Sequence, residues 1–276
     1  MRTYRDKIAV VTGGASGIGR ALVKALCGRG ATVICADINT EAADRTVEEI
    51  VSAGGTARAV RLDVTRENQV MAVVRKTMRD YGRLDFMFNN AGIGIGGEVR
   101  DMDGGHWRRI MAVNLWGTIY GTLAAYSAMT RQGSGTIVNT ASIAGLVPVP
   151  TLAAYAAGKH AIVGLSTSLR PEAADLGVQV NVVCPGAVRT PLFETAEMVG
   201  ADTRALTDRF PFVIEPDVAA SKILRGVEKN KAIIVFPLSN LVLWRFYRFL
   251  PWAVAPLSLK MAREFRKFRR EDRTPR

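Results

Sequence analysis

Ile8-Ala9-Val10-Val11-Thr12-Gly13-Gly14-Ala15-Ser16-Gly17-Ile18-Gly19 is the stretch that decides the fold. An apolar run runs straight into a glycine-rich turn, and helical periodicity begins at Ile18 and continues to Arg29. Although basic residues precede the run between Met1 and Lys7, it is too short for an export signal and reads as a buried first strand. Glycines in such a turn let backbone approach a ligand, and free amides at a helix start favour a pyrophosphate. Gly13, Ser16, Gly17, Ile18 and Gly19 are therefore candidate cofactor contacts.

Working outward, short β-branched runs alternate with longer helical stretches, the pattern of repeated βαβ units. Seven strands are expected near Lys7–Val11, Thr32–Ala36, Ala57–Leu62, Leu84–Asn89, Gly135–Asn139, Val178–Val183 and Ala232–Phe236. Helical stretches such as Glu41–Ser52, Glu67–Tyr81, His106–Arg131, Ala153–Leu176 and Pro216–Lys229 supply the crossovers that parallel strands require. The expected architecture is α/β, a doubly wound parallel seven-stranded Rossmann sheet. With 276 residues, 48% of them hydrophobic, residues 1–237 read as one catalytic domain and 238–276 as an apolar and basic extension.

Asp37 closes the second strand roughly twenty residues beyond the glycines, where a carboxylate accepts hydrogen bonds from both adenine-ribose hydroxyls and repels a 2′-phosphate. This predicts NAD as cofactor; the competing reading makes Asp37 a cap of the next helix. Asp63 and Val64, past the third strand, are placed to meet the adenine. Asn90, Ala91 and Gly92 follow Asn89 at the end of the fourth. All lie at the carboxyl edge of the sheet, where open α/β sheets bind ligands.

Tyr155 and Lys159 stand four apart on a predicted helix and so share a face. A tyrosine with an ordinary pKa of roughly 10 is a poor base at neutral pH, and a neighbouring ammonium lowers that value. Ser142 ends the fifth strand. At these residues the chain resembles the short-chain dehydrogenase/reductase family, from Lys7 to about Phe236. Thr12–Gly19 resembles the family's T-G-x-x-x-G-x-G, Asn89–Gly92 its N-N-A-G, and Asn114, Ser142, Tyr155 and Lys159 its catalytic tetrad; Pro185-Gly186 and Thr190 also fit.

The resemblance implies that Tyr155 exchanges a proton with the substrate oxygen and that Ser142 orients that oxygen. It gives Lys159 two tasks, lowering the Tyr155 pKa and binding the nicotinamide ribose, while Asn114 supports a water-linked proton path. Pro185, Gly186, Val188 and Thr190 join the cofactor contacts, with Thr190 on the carboxamide and the loop after Pro185 closing over the site. It also implies a homodimer or homotetramer. His106 and His160 lack ligand-spaced partners, so no metal is expected.

Three well-separated cysteines, Cys27, Cys35 and Cys184, read as free, buried thiols of a reducing compartment, and the localisation expected is cytoplasmic. The net charge is +12, and its distribution is uneven. From Trp244 to Arg276 ten cations oppose three carboxylates, so seven of the twelve net charges sit in the tail. Arginines and prolines interrupt Pro237–Leu250 before it reaches the roughly twenty apolar residues of a spanning helix. Beyond Pro256, Leu257, Met261, Phe265 and Phe268 recur at helical spacing among cations, an amphipathic helix. Two readings fit it equally: a contact with an anionic membrane, or packing on a partner subunit or the active-site mouth. Without a recognised reading module, nucleic acid is not an expected partner.

Substrate choice is expected in Ile93–Val99, Ile143–Leu152 and Arg189–Pro216. Ile93, Ile95, Leu146, Val147, Val149, Leu192, Phe193 and Met198 either line a pocket for a hydrophobic alcohol or ketone of steroid, retinoid or lipid type, or serve ordinary loop packing. The leading function is NAD-linked interconversion of a secondary alcohol and a ketone. Its alternatives are a 3-oxoacyl-thioester reductase whose basic tail docks an acidic carrier, and a non-catalytic nucleotide-binding scaffold.

Overall fold

The structure, a computed structural model, describes residues 4–201 and 213–268, with Phe193 and Glu194 described in backbone only. Every residue of β1 (Ile8–Thr12) is buried, because parallel neighbours flank it and helices cover both of its faces. Ala9 and Val11 point into one core with Leu22, Leu26 and Ile223. Ile8 and Val10 point into the other with Leu62, Val74 and Met129. That two-residue alternation makes a uniformly apolar run serve two layers at once.

Seven parallel strands form the main sheet among the described residues, in the order β3-β2-β1-β4-β6-β7-β9. They are β2 (Thr32–Asp37), β3 (Thr56–Arg61), β4 (Phe86–Asn89), β6 (Gly135–Thr140), β7 (Val178–Pro185) and β9 (Ile233–Phe236), besides β1. The expected doubly wound sheet is thus present, with strand limits shifted by a residue or two. Because β1 pairs with β2 on one side and β4 on the other, connections leave in opposite directions there. A crevice opens at the carboxyl ends of these two strands.

Helix α1 (Gly17–Cys27) starts directly behind β1. The turn is so tight that a Cβ on Gly19 would lie 1.9 Å from the Gly13 carbonyl oxygen, so no larger residue fits. Helices α2 (Thr40–Ser52) and α3 (Glu67–Tyr81) complete the first half.

Three local readings are corrected. Two strands of three residues, β5 (Ile95–Gly97) and β8 (Glu197–Val199), pair in a separate parallel sheet, inside stretches read as loops. The segment His106–Arg131, read as one helix, runs from α4 (Gly104–Ile110) through a π-helical segment, Met111–Trp116, into α5 (Gly117–Gln132). The tail also departs from its expected stripe. After α6 (Ala153–Ala174), α7 (Pro191–Thr195) and α8 (Pro216–Glu228) come α9 (Leu238–Phe249) and α10 (Pro251–Arg266). Pro251 starts α10 at a position where its missing N–H costs nothing, and the helix continues through Pro256. Its buried side carries Val254 and Phe265, whereas Leu257 and Met261 are exposed; Phe268 lies beyond its end, and Arg269, Arg270, Arg273 and Arg276 lie outside the described residues.

Leu22 is wholly buried in the core that α1 shares with α8. Leu22→Ala should destabilise the protein by about 2–5 kcal/mol in urea unfolding, whereas Val51→Ala, at a 54% exposed site, should stay within about 0.5 kcal/mol.

Candidate active site

The crevice is fastened by Thr12, which is 3% exposed at the end of β1. Its hydroxyl accepts the backbone N–H groups of Asn90 (2.9 Å) and Ala91 (3.1 Å). The Asn90 side chain returns a hydrogen bond to the Thr12 carbonyl at 3.2 Å. Thus the glycine turn and Asn90–Gly92 are one rigid unit. On its far side, the space a Cβ on Gly17 would enter is closed by Thr190 Cγ2, 2.9 Å away, so the segment after β7 crosses to the glycine turn. Val188 fixes that crossing by bridging to Ile214.

Asp37 accepts N–H groups from Ala15 (3.0 Å) and Asn39 (2.9 Å). The cap of α2 is Asn39, which accepts from Ala42, so Asp37 is tied to the glycine turn. Asp63 is occupied locally: it accepts the Thr65 hydroxyl and N–H, and the hydroxyl foremost holds its carboxyl below the ordinary range. Val64 is buried against Gly117.

Ser142, Tyr155 and Lys159 converge at the ends of β6 and β7. Ser142 is near enough to Tyr155 to favour its phenolate, and its Oγ accepts the Ala144 N–H at 3.2 Å. Lys159, 4% exposed, donates to the Thr140 carbonyl at 2.8 Å, and its Nζ stands 5.4 Å from the Tyr155 ring centroid. Burial pushes the Lys159 ammonium down to about 8. Burial also raises the Tyr155 phenol, against the opposing influence of Ser142. The lysine that the sequence predicts to lower this pKa stands beside the ring, and burial of the phenol acts in the opposite direction. Cys184 lies against the same groups, its thiol pushed up to about 12 by burial despite Lys159 and the Ser142 N–H.

Asn114 is 1% exposed in the π-helical segment. Its side chain accepts the Ile93 N–H (2.8 Å) and donates to the Ile93 carbonyl (3.0 Å), so it acts as a strand-like clamp on the chain after Gly92. π-Helical turns recur where a helix must be re-aimed at a functional site.

Sequence reasoning overlooked the support beneath these groups. Asn139, fully buried in β6, donates to the Ser166 hydroxyl of α6 at 3.0 Å and accepts from Asn89 of β4 at 2.8 Å. It lies three residues before Ser142, and Ser166 lies seven beyond Lys159, so this network holds strand and helix in register. An asparagine inside an apolar strand was the available signal, since buried amides need partners. His106 caps α4 through Asp103 and also meets Glu197; His160 bonds the Ala156 carbonyl.

Of the residues expected to line a pocket, Ile95, Leu146 and Val147 are buried in packing. Ile93, Val149, Leu192 and Met198 are half-buried; the Phe193 side chain and residues 202–212 lie outside the described residues.

With this geometry in place, the sequence profile described as short chain dehydrogenase matches residues 7–198. The chain belongs to the short-chain dehydrogenase family. This short-chain dehydrogenase is an oxidoreductase. It is 40% identical over 200 residues to cyclohexanol dehydrogenase of Acinetobacter sp. (strain SE19), covering 71% of this chain and 80% of that one. It is 34% identical over 240 residues to D-beta-hydroxybutyrate dehydrogenase of Rhizobium meliloti (strain 1021), covering 86% and 90%. Among solved structures it is similar to a short chain dehydrogenase/reductase from Burkholderia phymatum in complex with NAD. That likeness has a TM-score of 0.84 and 27% identity, covering 92% of this chain and 96% of that one.

The buried ammonium has a measurable signature. Since the folded-state pKa of Lys159 is depressed from 10.5 to about 8, the unfolded chain binds more protons between those values, and folding stability from this group rises with pH across that window. Lys159→Met should lack this contribution: urea unfolding of the cofactor-free proteins should show wild type gaining on the variant from about pH 8 upward.

Proposed function

We propose that this enzyme oxidises a hydrophobic secondary alcohol to its ketone, and reduces the ketone in the reverse direction, with NAD as hydride carrier. The carrying observation is the convergence of Ser142, Tyr155 and Lys159 at the crevice where the glycine turn and the post-β7 segment meet. Cyclohexanol and 3-hydroxybutyrate, named for the two relatives, are both secondary alcohols, which supports the reaction class.

The residues present fit the dinucleotide. Ser16 at the N-cap of α1 makes no side-chain cap bond, so the first amides of that helix remain available to a pyrophosphate. Gly13, Ser16, Gly17, Ile18 and Gly19 would hold the diphosphate, and Asp37 the adenine ribose. Asp63 and Val64 would flank the adenine; Asn90, Ala91 and Gly92 would line the middle of the cleft. Tyr155 and Lys159 would reach the nicotinamide ribose, while Pro185, Gly186, Val188 and Thr190 would border the nicotinamide. Bound there, NAD supplies the hydride-accepting ring.

The chain's own part is orientation and proton handling. Ser142 donates a hydrogen bond to the substrate oxygen, and Tyr155 takes the hydroxyl proton in oxidation or returns it in reduction. Asn114 supports a water-linked proton path toward Lys159, and its side chain holds the chain at Ile93 beside the cleft. The half-buried Ile93, Val149, Leu192 and Met198 favour an apolar substituent on the carbinol carbon.

Tyr155→Phe should lower kcat for alcohol oxidation by at least about 100-fold while NAD affinity, followed by fluorescence, changes little; retained turnover would overturn the mechanism. In wild type, oxidation needs the phenolate and should strengthen as pH rises, whereas ketone reduction needs the phenol and should weaken. Asp37→Ser should cut the kcat/KM ratio of NAD over NADP by roughly tenfold or more, a change of about 1.4 kcal/mol.

A further inference from the structure

The hairpin of α9 and α10 presents a surface for which the reaction has no use. On α9, Leu238, Val242, Phe246 and Phe249 recur at intervals of four, four and three, and are 73%, 59%, 45% and 77% exposed. The opposite side of that helix, Leu243, Trp244 and Tyr247, packs into the cluster of Ala141, Leu146 and Val147. The outward stripe is therefore left over after the helix has docked. At the turn between the helices the chain continues Phe249-Leu250-Pro251-Trp252, with Trp252 73% exposed.

Charge separates the possible occupants. Arg245, Arg248, Lys260 and Arg263 are exposed, and among the described residues none forms an ion pair with a carboxylate. Glu264, the one acid of α9 and α10, pairs with Lys267. A second copy pairing through this face would set cations against cations. A neutral apolar groove would leave them without counter-charge. An anionic bilayer offers an apolar boundary for Phe249 and Trp252 beneath headgroups that match the arginines and lysine. No helix among the described residues is long and apolar enough to cross a membrane, so such a contact lies in the interfacial plane.

We propose that the outer face of the α9–α10 hairpin docks this enzyme on an anionic lipid surface beside its substrate cleft. The placement rests on two anchors. At one end, Asn240 of α9 fills the space beside Gly186, where a Cβ would lie 2.0 Å from its side-chain nitrogen, and α9 covers Leu146 and Val147 in the loop after Ser142. At the other end, Arg266 of α10 pairs at 2.8 Å with Glu98, next to β5. The hairpin thus spans both loops that border the cleft, and docking brings that opening to the membrane. The inference does not depend on the alcohol chosen or on turnover.

The test is co-sedimentation of the full chain with vesicles of phosphatidylglycerol and phosphatidylcholine, set against phosphatidylcholine alone. Binding should favour the anionic vesicles, weaken as salt rises, and fall roughly tenfold or more in Phe249→Ser/Trp252→Ser. Arg245→Glu/Arg248→Glu should weaken it as well. Melting temperature and NAD affinity of these exposed-site variants should match wild type. Should either variant fail to fold, tryptophan fluorescence decides: the blue shift on adding anionic vesicles should be present in wild type and diminished in Trp252→Phe. Equal binding to both vesicle types, binding indifferent to Phe249 and Trp252, or an oligomer that these substitutions dissociate would overturn the proposal, the last by showing that a second copy covers the face.

Discussion

Thr12 sits where β1 ends and its hydroxyl holds two amides of the segment leaving β4. Those strands are neighbours whose onward connections diverge, so without a fastening their ends would splay. A hydroxyl is suited to the task, because it accepts two N–H groups and still donates, here to the Phe88 carbonyl at 3.4 Å. The consequence is a glycine turn and an Asn90–Gly92 wall held in fixed relation before any ligand arrives. A dinucleotide bound there would meet a wall already held in place, which lowers the cost of association.

The chemical end is built differently, by placing charge where water is scarce. An ammonium at 4% exposure, with one carbonyl partner, is costly, and the depressed Lys159 pKa is the sign of that cost. Such perturbed groups cluster at catalytic sites because the same field that destabilises them makes them responsive to a ligand. The buried amides of Asn89 and Asn139 do the opposite work. Asn89 donates to Asn139 and Asn139 in turn donates to Ser166, and this chain of bonds ties together the strands and helix that carry Ser142, Tyr155 and Lys159.

The C-terminal hairpin joins these two economies to a surface. Its inner side completes the hydrophobic packing around the Ser142 loop, and its outer side is apolar and cationic together. The family profile ends at residue 198, before the hairpin begins.

The sequence by itself determined the sheet, the glycine turn and which side chains are candidates for the chemistry, because those signals are local. An apolar run bounded by glycine, a four-residue spacing on a helix and a carboxylate ending a strand each carry their physics within a few residues. Tertiary structure alone decided what distance decides. Ile95-Gly96-Gly97 has no strand period and became a strand only by meeting Glu197–Val199. Asn114 has its side chain engaged with the Ile93 backbone across the π-helical turn, a pairing that no local spacing announces. In the tail, Leu257, Met261 and Phe265 looked equivalent by spacing, yet only Phe265 is buried. Periodicity fixes which residues share a face, and only the body against which the helix packs fixes which way that face turns.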